Sequence, residues 1–258
     1  MPPERPSLSL AQAVALGALH GPAELIPVSS SAHVALIPQL LGWPSARLPG
    51  DVRKSFEVFL HAGTLAGLVA LVPRPAAVFA VVATAPAAVV GFTLEGPIER
   101  RLGGVRATAA GLIAGSALLL IADARGATLR AAEEATLVDA VALGLAQALA
   151  LWPGLSRLGV TVAAARLRGF DRDAAFLLGR QAGLPVIAGA TGLKLWRLMQ
   201  RGLERDLRAP FAAGAAAALA ATLAAAPLRA ATSVLPPAAE RVALAAVALA
   251  RLRRSGTS

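Results

Sequence analysis

Four long stretches of this chain, residues 75–94, 107–122, 140–156 and 209–228, contain no Asp, Glu, Lys or Arg, and each lies between charged segments. A helix rises about 1.5 Å per residue and the hydrocarbon core of a bilayer is about 30 Å thick, so roughly 17–25 apolar residues are needed to cross it. Stretches of this length on a water-soluble helix would carry a polar face, and these carry none. FAAGAAAALAATLAAAPL at 211–228 is the clearest case, because its alanine content alone would suit a soluble helix. The pattern predicts six membrane-spanning helices, near residues 56–72, 75–94, 107–122, 172–193, 209–228 and 232–250.

Two segments do not fit a plain span. Residues 8–43 and 140–168 are apolar but broken by Pro, Gly and Ser, and parity requires each to return to the side it entered. They read as re-entrant helical hairpins, the form in which broken helices are tolerated at membrane depth. The two also resemble each other: ALGALH at 15–20 matches ALGLAQ at 142–147, and after a one-residue slip Pro27 and Ser30 fall on Pro153 and Ser156. A second pair follows in the same order, FEVFLHAG at 56–63 with FLLGRQAG at 176–183, which sets His61 opposite Gln181. The expected architecture is one all-α polytopic membrane domain over residues 1–258. It consists of two repeats, about 8–122 and 140–250, of opposite orientation, a plan that places the site near the bilayer midplane where the broken helices meet.

Composition supports this and removes other classes. The chain is 56% hydrophobic and 16% charged, in the range of membrane proteins. Its net charge of +10 does not point to nucleic acid, because the basic residues gather in short connections. Lys194, Arg197, Arg201, Arg205 and Arg208 form one such group, Arg100, Arg101 and Arg106 another, and Arg251, Arg253 and Arg254 a third. All three are expected on the cytoplasmic side. The connection at 123–139, with Asp123, Glu133, Glu134 and Asp139 against Arg125 and Arg130, is then expected outside. With no cysteine the chain has neither disulfides nor thiolate metal ligands.

The chemistry-bearing residues sit in the two hairpins. In the first, ELIPVSSSAH at 24–33 places Glu24, Ser29, Ser30, Ser31 and His33 in a region free of Lys and Arg from residue 6 to 46. A carboxylate at the centre of a span costs about 2.5–3.5 kcal/mol on insertion scales, so an unpaired Glu24 is not expected there. Pro27 ends one helix and the serines are natural caps for the next, whose free N–H groups would suit an anion such as phosphate. Ser30 and His33, three residues apart, share a helix face. The second hairpin supplies WPGLSRLGVT at 152–161, in which Pro153 and Gly154 break the helix, Ser156 caps its continuation, and Arg157 offers a guanidinium suited to phosphate. A buried Glu24–Arg157 ion pair without chemistry, and serines that merely cap, are the competing structural readings.

These residues resemble the undecaprenyl-diphosphate phosphatases of bacterial membranes, the bacitracin-resistance proteins. HGPAELIPVSSSAH at 20–33 is similar to the family's [E/Q]GxTEFLPISSSGH, and PGLSRLGVT at 153–161 to its PGxSRSGAT. FEVFLHAGTLAG (56–67), APAAVVGFTLEGPIE (85–99), GLIAGSALLL (111–120) and GFDRDAAFLL (169–178) extend the likeness over most of residues 8–193. The resemblance implies hydrolysis of undecaprenyl diphosphate to undecaprenyl phosphate and inorganic phosphate, which recycles the lipid carrier of cell-wall synthesis. It implies a magnesium or calcium cofactor, with Glu24 on the metal side, and catalytic roles for Glu24, Ser30, His33 and Arg157. Ser29, Ser31, Ser156, Arg157 and Thr161 would bind substrate. A lipid diphosphate and the bilayer are the implied partners, and the implied location is the bacterial cytoplasmic membrane, with the site open to its outer side.

The departures are His20 where the family has Glu or Gln, Ala32 for a glycine, Leu158 for a serine, FLLGRQAGLP after the DRxAA-type stretch, and ERVAL at 240–244 where YR is usual. A polyprenyl-phosphate transporter of the same inverted-repeat plan, or a relative without activity, is the alternative expectation.

Overall fold

The computed structural model describes residues 7–126, 130–230 and 232–255. Within them the chain folds into helices α1 (Leu10–Ala23), α2 (Ser30–Leu40), α3 (Gly50–Leu71), α4 (Ala77–Leu102), α5 (Val105–Arg125), α6 (Leu137–Leu149), α7 (Arg157–Leu167), α8 (Arg172–Arg201), α9 (Arg205–Ala224) and α10 (Leu235–Ser255). The first expected hairpin is α1–α2, the second is α6–α7, and the six expected spans fall in α3, α4, α5, α8, α9 and α10. The hairpin helices have 14, 11, 13 and 11 residues, each too short to cross a bilayer alone.

Local chemistry fixes the ends of these helices. Ser9 accepts from the Gln12 N–H to start α1, Thr136 and Asp139 form a reciprocal capping box at α6, and Asp171 caps α8 through the Ala174 N–H at 2.7 Å. Several spans outrun their apolar windows. α4 continues eight residues past Leu94 through Glu95, Glu99, Arg100 and Arg101, because a helix persists into the interface once lipid no longer dictates its composition. Charges at this end are tied across elements: Lys194 of α8 pairs with Glu95 at 2.5 Å, and Lys54 of α3 pairs with Glu99. At the opposite end Asp123 of α5 accepts from Arg166 at 3.1 Å and from Arg172 at 2.7 Å. Asp139 there lies between Arg130 and Arg168, at 2.8 and 2.7 Å.

Among the described residues four helices, α3, α4, α5 and α9, are long and apolar enough to cross a membrane by length and composition. α8 and α10 are long enough but carry charges, and the structure partners key ones internally. Arg180 donates to the Leu25 carbonyl at 3.0 Å, and the fully buried Arg241 donates to the Gly154 carbonyl at 3.0 Å. The outward faces of the bundle are apolar: Val78, Val81, Val89 and Phe92 of α4 are all more than 60% exposed. Such a face is stable against lipid and would be a liability in water.

The packing follows the repeat. α1 lies along α9 while its counterpart α6 lies along α4, so each hairpin leans on the second long helix of the other half. α3 packs on α8 and α5 on α10, each helix meeting its own counterpart. The close approaches correspond as well. A Cβ on Gly17 of α1 would strike the Gly214 carbonyl of α9, and one on its counterpart Gly144 of α6 would come within 2.8 Å of the Ala83 carbonyl of α4. Small residues at such crossings let backbones meet where no hydrophobic effect drives helices together.

Gly63 of α3 is equally confined, its missing Cβ pointing at the Ala215 carbonyl of α9. Gly63→Val is expected to destabilise the protein by about 1–3 kcal/mol through overpacking. Gly189→Ala, on an open face of α8 with nothing within 4 Å, is expected to be neutral or stabilising. Thermal unfolding of the two variants in detergent checks the contrast; equal loss in both would remove the close-packing account of α3 and α9.

Candidate active site

The tips of the two hairpins meet at Glu24. This residue is the C-cap of α1, where the chain leaves the helix before Pro27. Ser30 is the first residue of α2 and Arg157 the first residue of α7. The Ser30 hydroxyl donates to Glu24 Oε1 and Arg157 Nη2 donates to Glu24 Oε2. The Glu24 side chain is only 8% exposed, so the carboxylate expected to need a partner has one on each oxygen. Two helix N-termini, with their unsatisfied N–H groups, thus open at one carboxylate and one guanidinium. That arrangement suits a phosphate group placed between them.

The breaks that produce this junction are conformationally demanding. Ser29, the N-cap of α2, has φ +73°, and it is the one non-glycine residue with positive φ among the described residues. Such a conformation costs about 1–3 kcal/mol and persists where surrounding contacts enforce it. Here Ser29 is buried and its carbonyl is held by His33. In the second hairpin Gly154 takes φ +94°, and a Cβ there would collide with the Thr108 carbonyl of α5.

The other expected site residues are placed as follows. Ser156 caps α7, accepting from the Gly159 N–H at 3.2 Å. Thr161 is fully buried and its hydroxyl bonds back to the carbonyls of Arg157 and Leu158 at 3.0 Å, so it steadies the turn that carries Arg157. Ser29 and Ser31 are joined through their hydroxyls at 3.5 Å.

His33 does not converge on Glu24 as the shared-face pattern predicts. Its Nδ1 lies 2.8 Å from the Ser29 carbonyl and its Nε2 lies 2.8 Å from Glu240 Oε1 of α10. A carbonyl only accepts, so Nδ1 carries a hydrogen. The Nε2–carboxyl contact then requires one more proton, held by the imidazole or by Glu240. The pair His33–Glu240 therefore holds a proton beside the start of α2.

Three further residues border the junction. Arg180 of α8 lies along the same cleft, which is lined by Glu24, Leu68, Arg157, Leu158, Gly179, Gly183 and Ile187. His61, midway along α3, has Nδ1 3.8 Å from Glu24 Oε1. His20 of α1 is fully buried, with its ring centroid 4.5 Å from that of His61. An ionisable residue inside an expected span is a site signal in itself, and by that rule Arg180 and His61 were open to detection. Glu240, inside the expected span at 232–250, gave the same signal; what stayed hidden was its partner His33, 207 residues away. A broader, open depression at Gln39, Trp43, Arg47, Arg53 and Val105 shares no residue with the junction.

Calcium takes several oxygen ligands, and magnesium is usually held by one or two carboxylates together with waters and substrate phosphate oxygens. The donors gathered at the junction are one carboxylate, already accepting from Ser30 and Arg157, and the two imidazoles of His20 and His61. Two of these three donors are nitrogen, so the protein's own set is poor in the oxygen that magnesium and calcium prefer, and no step below is routed through such an ion.

Comparison with known proteins agrees with the architecture and the motifs. The family described as "Bacitracin resistance protein BacA" matches residues 13–234. The undecaprenyl-diphosphatase of Geobacter sulfurreducens is 38% identical over 232 residues, covering 81% of this chain and 84% of the relative. That of Chromohalobacter salexigens is 37% identical over 211 residues, covering 73% and 77%, and that of Thermomicrobium roseum is 35% identical over 236 residues, covering 80% and 83%. With a family match that runs from the first hairpin to the start of α10, and relatives of this identity along most of their length, the chain belongs to the bacitracin resistance protein family of membrane proteins.

Proposed function

We propose that this protein hydrolyses undecaprenyl diphosphate to undecaprenyl phosphate and inorganic phosphate, recycling the lipid carrier of cell-wall synthesis. The observation that carries the reading is the junction at Glu24, where a serine hydroxyl and an arginine from two helix N-termini share one buried carboxylate. The relatives' shared name, undecaprenyl-diphosphatase, supports hydrolysis over transport.

In the proposed reaction the terminal phosphate enters between the hairpin tips and the prenyl tail leaves sideways into lipid. Arg157 transfers its bonds from Glu24 to phosphate oxygens, and the α2 and α7 N–H groups complete the anion site. Ser30 attacks the terminal phosphorus while its proton passes to Glu24, which its hydroxyl already faces. The bond from that phosphorus to the bridging oxygen breaks, and undecaprenyl phosphate departs with the bridging oxygen. Water then hydrolyses the phosphoserine, returning the proton to Ser30 and releasing phosphate. Basic clusters at the ends of α4, α8 and α10 support a cytoplasmic position for those ends, and in this reading the site opens toward the outer face of the bacterial cytoplasmic membrane. Phosphate release from undecaprenyl diphosphate by the purified, lipid-reconstituted chain tests the reading; a diphosphate left intact overturns it.

The proton held by His33 and Glu240 gives α10 a role in the same reaction, as the source of a proton for the departing bridging oxygen. Glu240→Gln is expected to lower kcat by about 10²-fold, with little change in KM. In a His33→Ala background it is expected to add almost nothing, since the two residues act as a unit. Losses that multiply independently would detach Glu240 from the chemistry.

A further inference from the structure

We propose that His20, Glu24 and His61 form a binding site for one first-row transition-metal dication of the zinc, cobalt or manganese class, beside the serine and arginine of the junction. The proposal deepens the hydrolytic reading of that site and rests on it for its purpose, but the donor atoms stand independently of it. One donor atom from each residue lies within 4.8 Å of the other two.

The two imidazoles supply the second observation. His20 is fully buried; its Nδ1 lies 2.9 Å from the Thr64 hydroxyl, and its Nε2 has no hydrogen-bond partner. His61 Nδ1 is likewise buried without a hydrogen-bond partner. A buried polar atom left without a partner costs about 1–3 kcal/mol, and both belong to imidazoles clustered with the Glu24 carboxylate. In the tautomer of His20 whose Nδ1 donates to Thr64, Nε2 presents a lone pair, the arrangement by which an outer hydrogen bond fixes a metal-binding histidine. His61 Nε2 lies 3.9 Å from Glu57 Oε1, one turn earlier on α3, outside hydrogen-bond distance but on the side away from Nδ1. The rings stand at 89° to each other, so their edges are available rather than stacked away.

Dimensions and charge agree. Tetrahedral bonds of about 2.0–2.1 Å separate neighbouring donors by about 3.3 Å. The 3.8 Å between His61 Nδ1 and Glu24 Oε1 needs to close by only about half an ångström to meet that. Glu24 has lone pairs left after the Ser30 and Arg157 bonds, since an ionised carboxylate offers about four acceptor sites. Two imidazoles and one carboxylate form the ligand type that favours zinc and its neighbours over magnesium or calcium, and three protein ligands leave a position open for an oxygen of a bound phosphate. His20 is decisive for this choice, because a carboxylate at that position would make the donor set oxygen-rich.

The test uses the full chain in lipid nanodiscs, stripped of metal by a chelator and titrated with Co²⁺ alone. Visible absorption and calorimetry are the readouts. The expected result is one Co²⁺ per chain with the ligand-field spectrum of a four- or five-coordinate site, not displaced by a hundredfold excess of Mg²⁺ or Ca²⁺. Thr64→Val, which keeps the volume and removes only the outer bond, is expected to weaken Co²⁺ binding about 10–100-fold. His61→Ala is expected to weaken it further, and His20→Glu to turn the preference toward Mg²⁺ and Ca²⁺; thermal unfolding confirms that each variant is folded.

Absence of stoichiometric Co²⁺ binding, or binding unchanged in folded His61→Ala, overturns the proposal. Phosphate release supported by Mg²⁺ in a chain that binds no Co²⁺ overturns the metal assignment and leaves hydrolysis standing. Tight Co²⁺ binding dependent on His20 and His61, without phosphate release under any metal, upholds the metal site and removes the hydrolytic reading instead.

Discussion

Ser30→Ala is expected to reduce phosphate release by about 10³-fold or more while leaving the protein folded, because it removes the proposed nucleophile and little else. The hydroxyl contributes one hydrogen bond to Glu24, and losing it costs about 1 kcal/mol, since Arg157 still compensates the carboxylate. The folded state should therefore survive the change, and the drop should appear in kcat. Labelled phosphate trapped on Ser30 during turnover would establish the covalent route. A Ser30→Ala variant with near-normal turnover would instead mean that water attacks directly.

The second large effect is expected at Arg157, and here charge and shape separate. Arg157→Ala should lower kcat/KM by about 10³–10⁵-fold, the range for an arginine that neutralises a transferring phosphoryl group. It also strips Glu24 of its cation, and breaking a buried pair by removing one partner costs about 3–5 kcal/mol, so part of the loss will reflect reduced stability. Arg157→Lys keeps the charge and discards the planar fork. It is expected to fold nearly as well as the parent yet remain at least about 10²-fold impaired, because a point charge does not reproduce bidentate binding. Measured kcat and KM for the folded lysine variant, set beside its unfolding temperature, make the distinction. Full activity in Arg157→Lys would reduce Arg157 to a counter-ion for Glu24.

The parts of this structure that were legible in sequence are those governed by local rules. Charge-free windows marked α4, α5 and α9, and Pro27, the serine run, Pro153 and Gly154 marked the breaks, since each changes what the backbone next to it can do. The meeting of Glu24 with Arg157 followed from the repeat, because two similar broken hairpins place their tips together. What stayed hidden depends on contacts between distant segments. The direction of the His33 ring is set by Glu240 on α10, in the quarter of the chain where the family likeness is thinnest. Thr161 lies in the second motif, and only the structure reveals that its hydroxyl bonds back to the Arg157 and Leu158 carbonyls of α7. His20 looks in sequence like the loss of a metal-side carboxylate. In three dimensions it stands against His61, a neighbour supplied by α3, and the two change the kind of cation the site is suited to hold.

The most direct measurement of the central claim is product analysis with the purified wild-type chain in liposomes carrying undecaprenyl diphosphate in one leaflet, following the lipid and the phosphate together. The account predicts undecaprenyl phosphate and inorganic phosphate in equal amounts, formed without movement of intact diphosphate across the bilayer. Intact diphosphate appearing in the opposite leaflet with no phosphate released would contradict it.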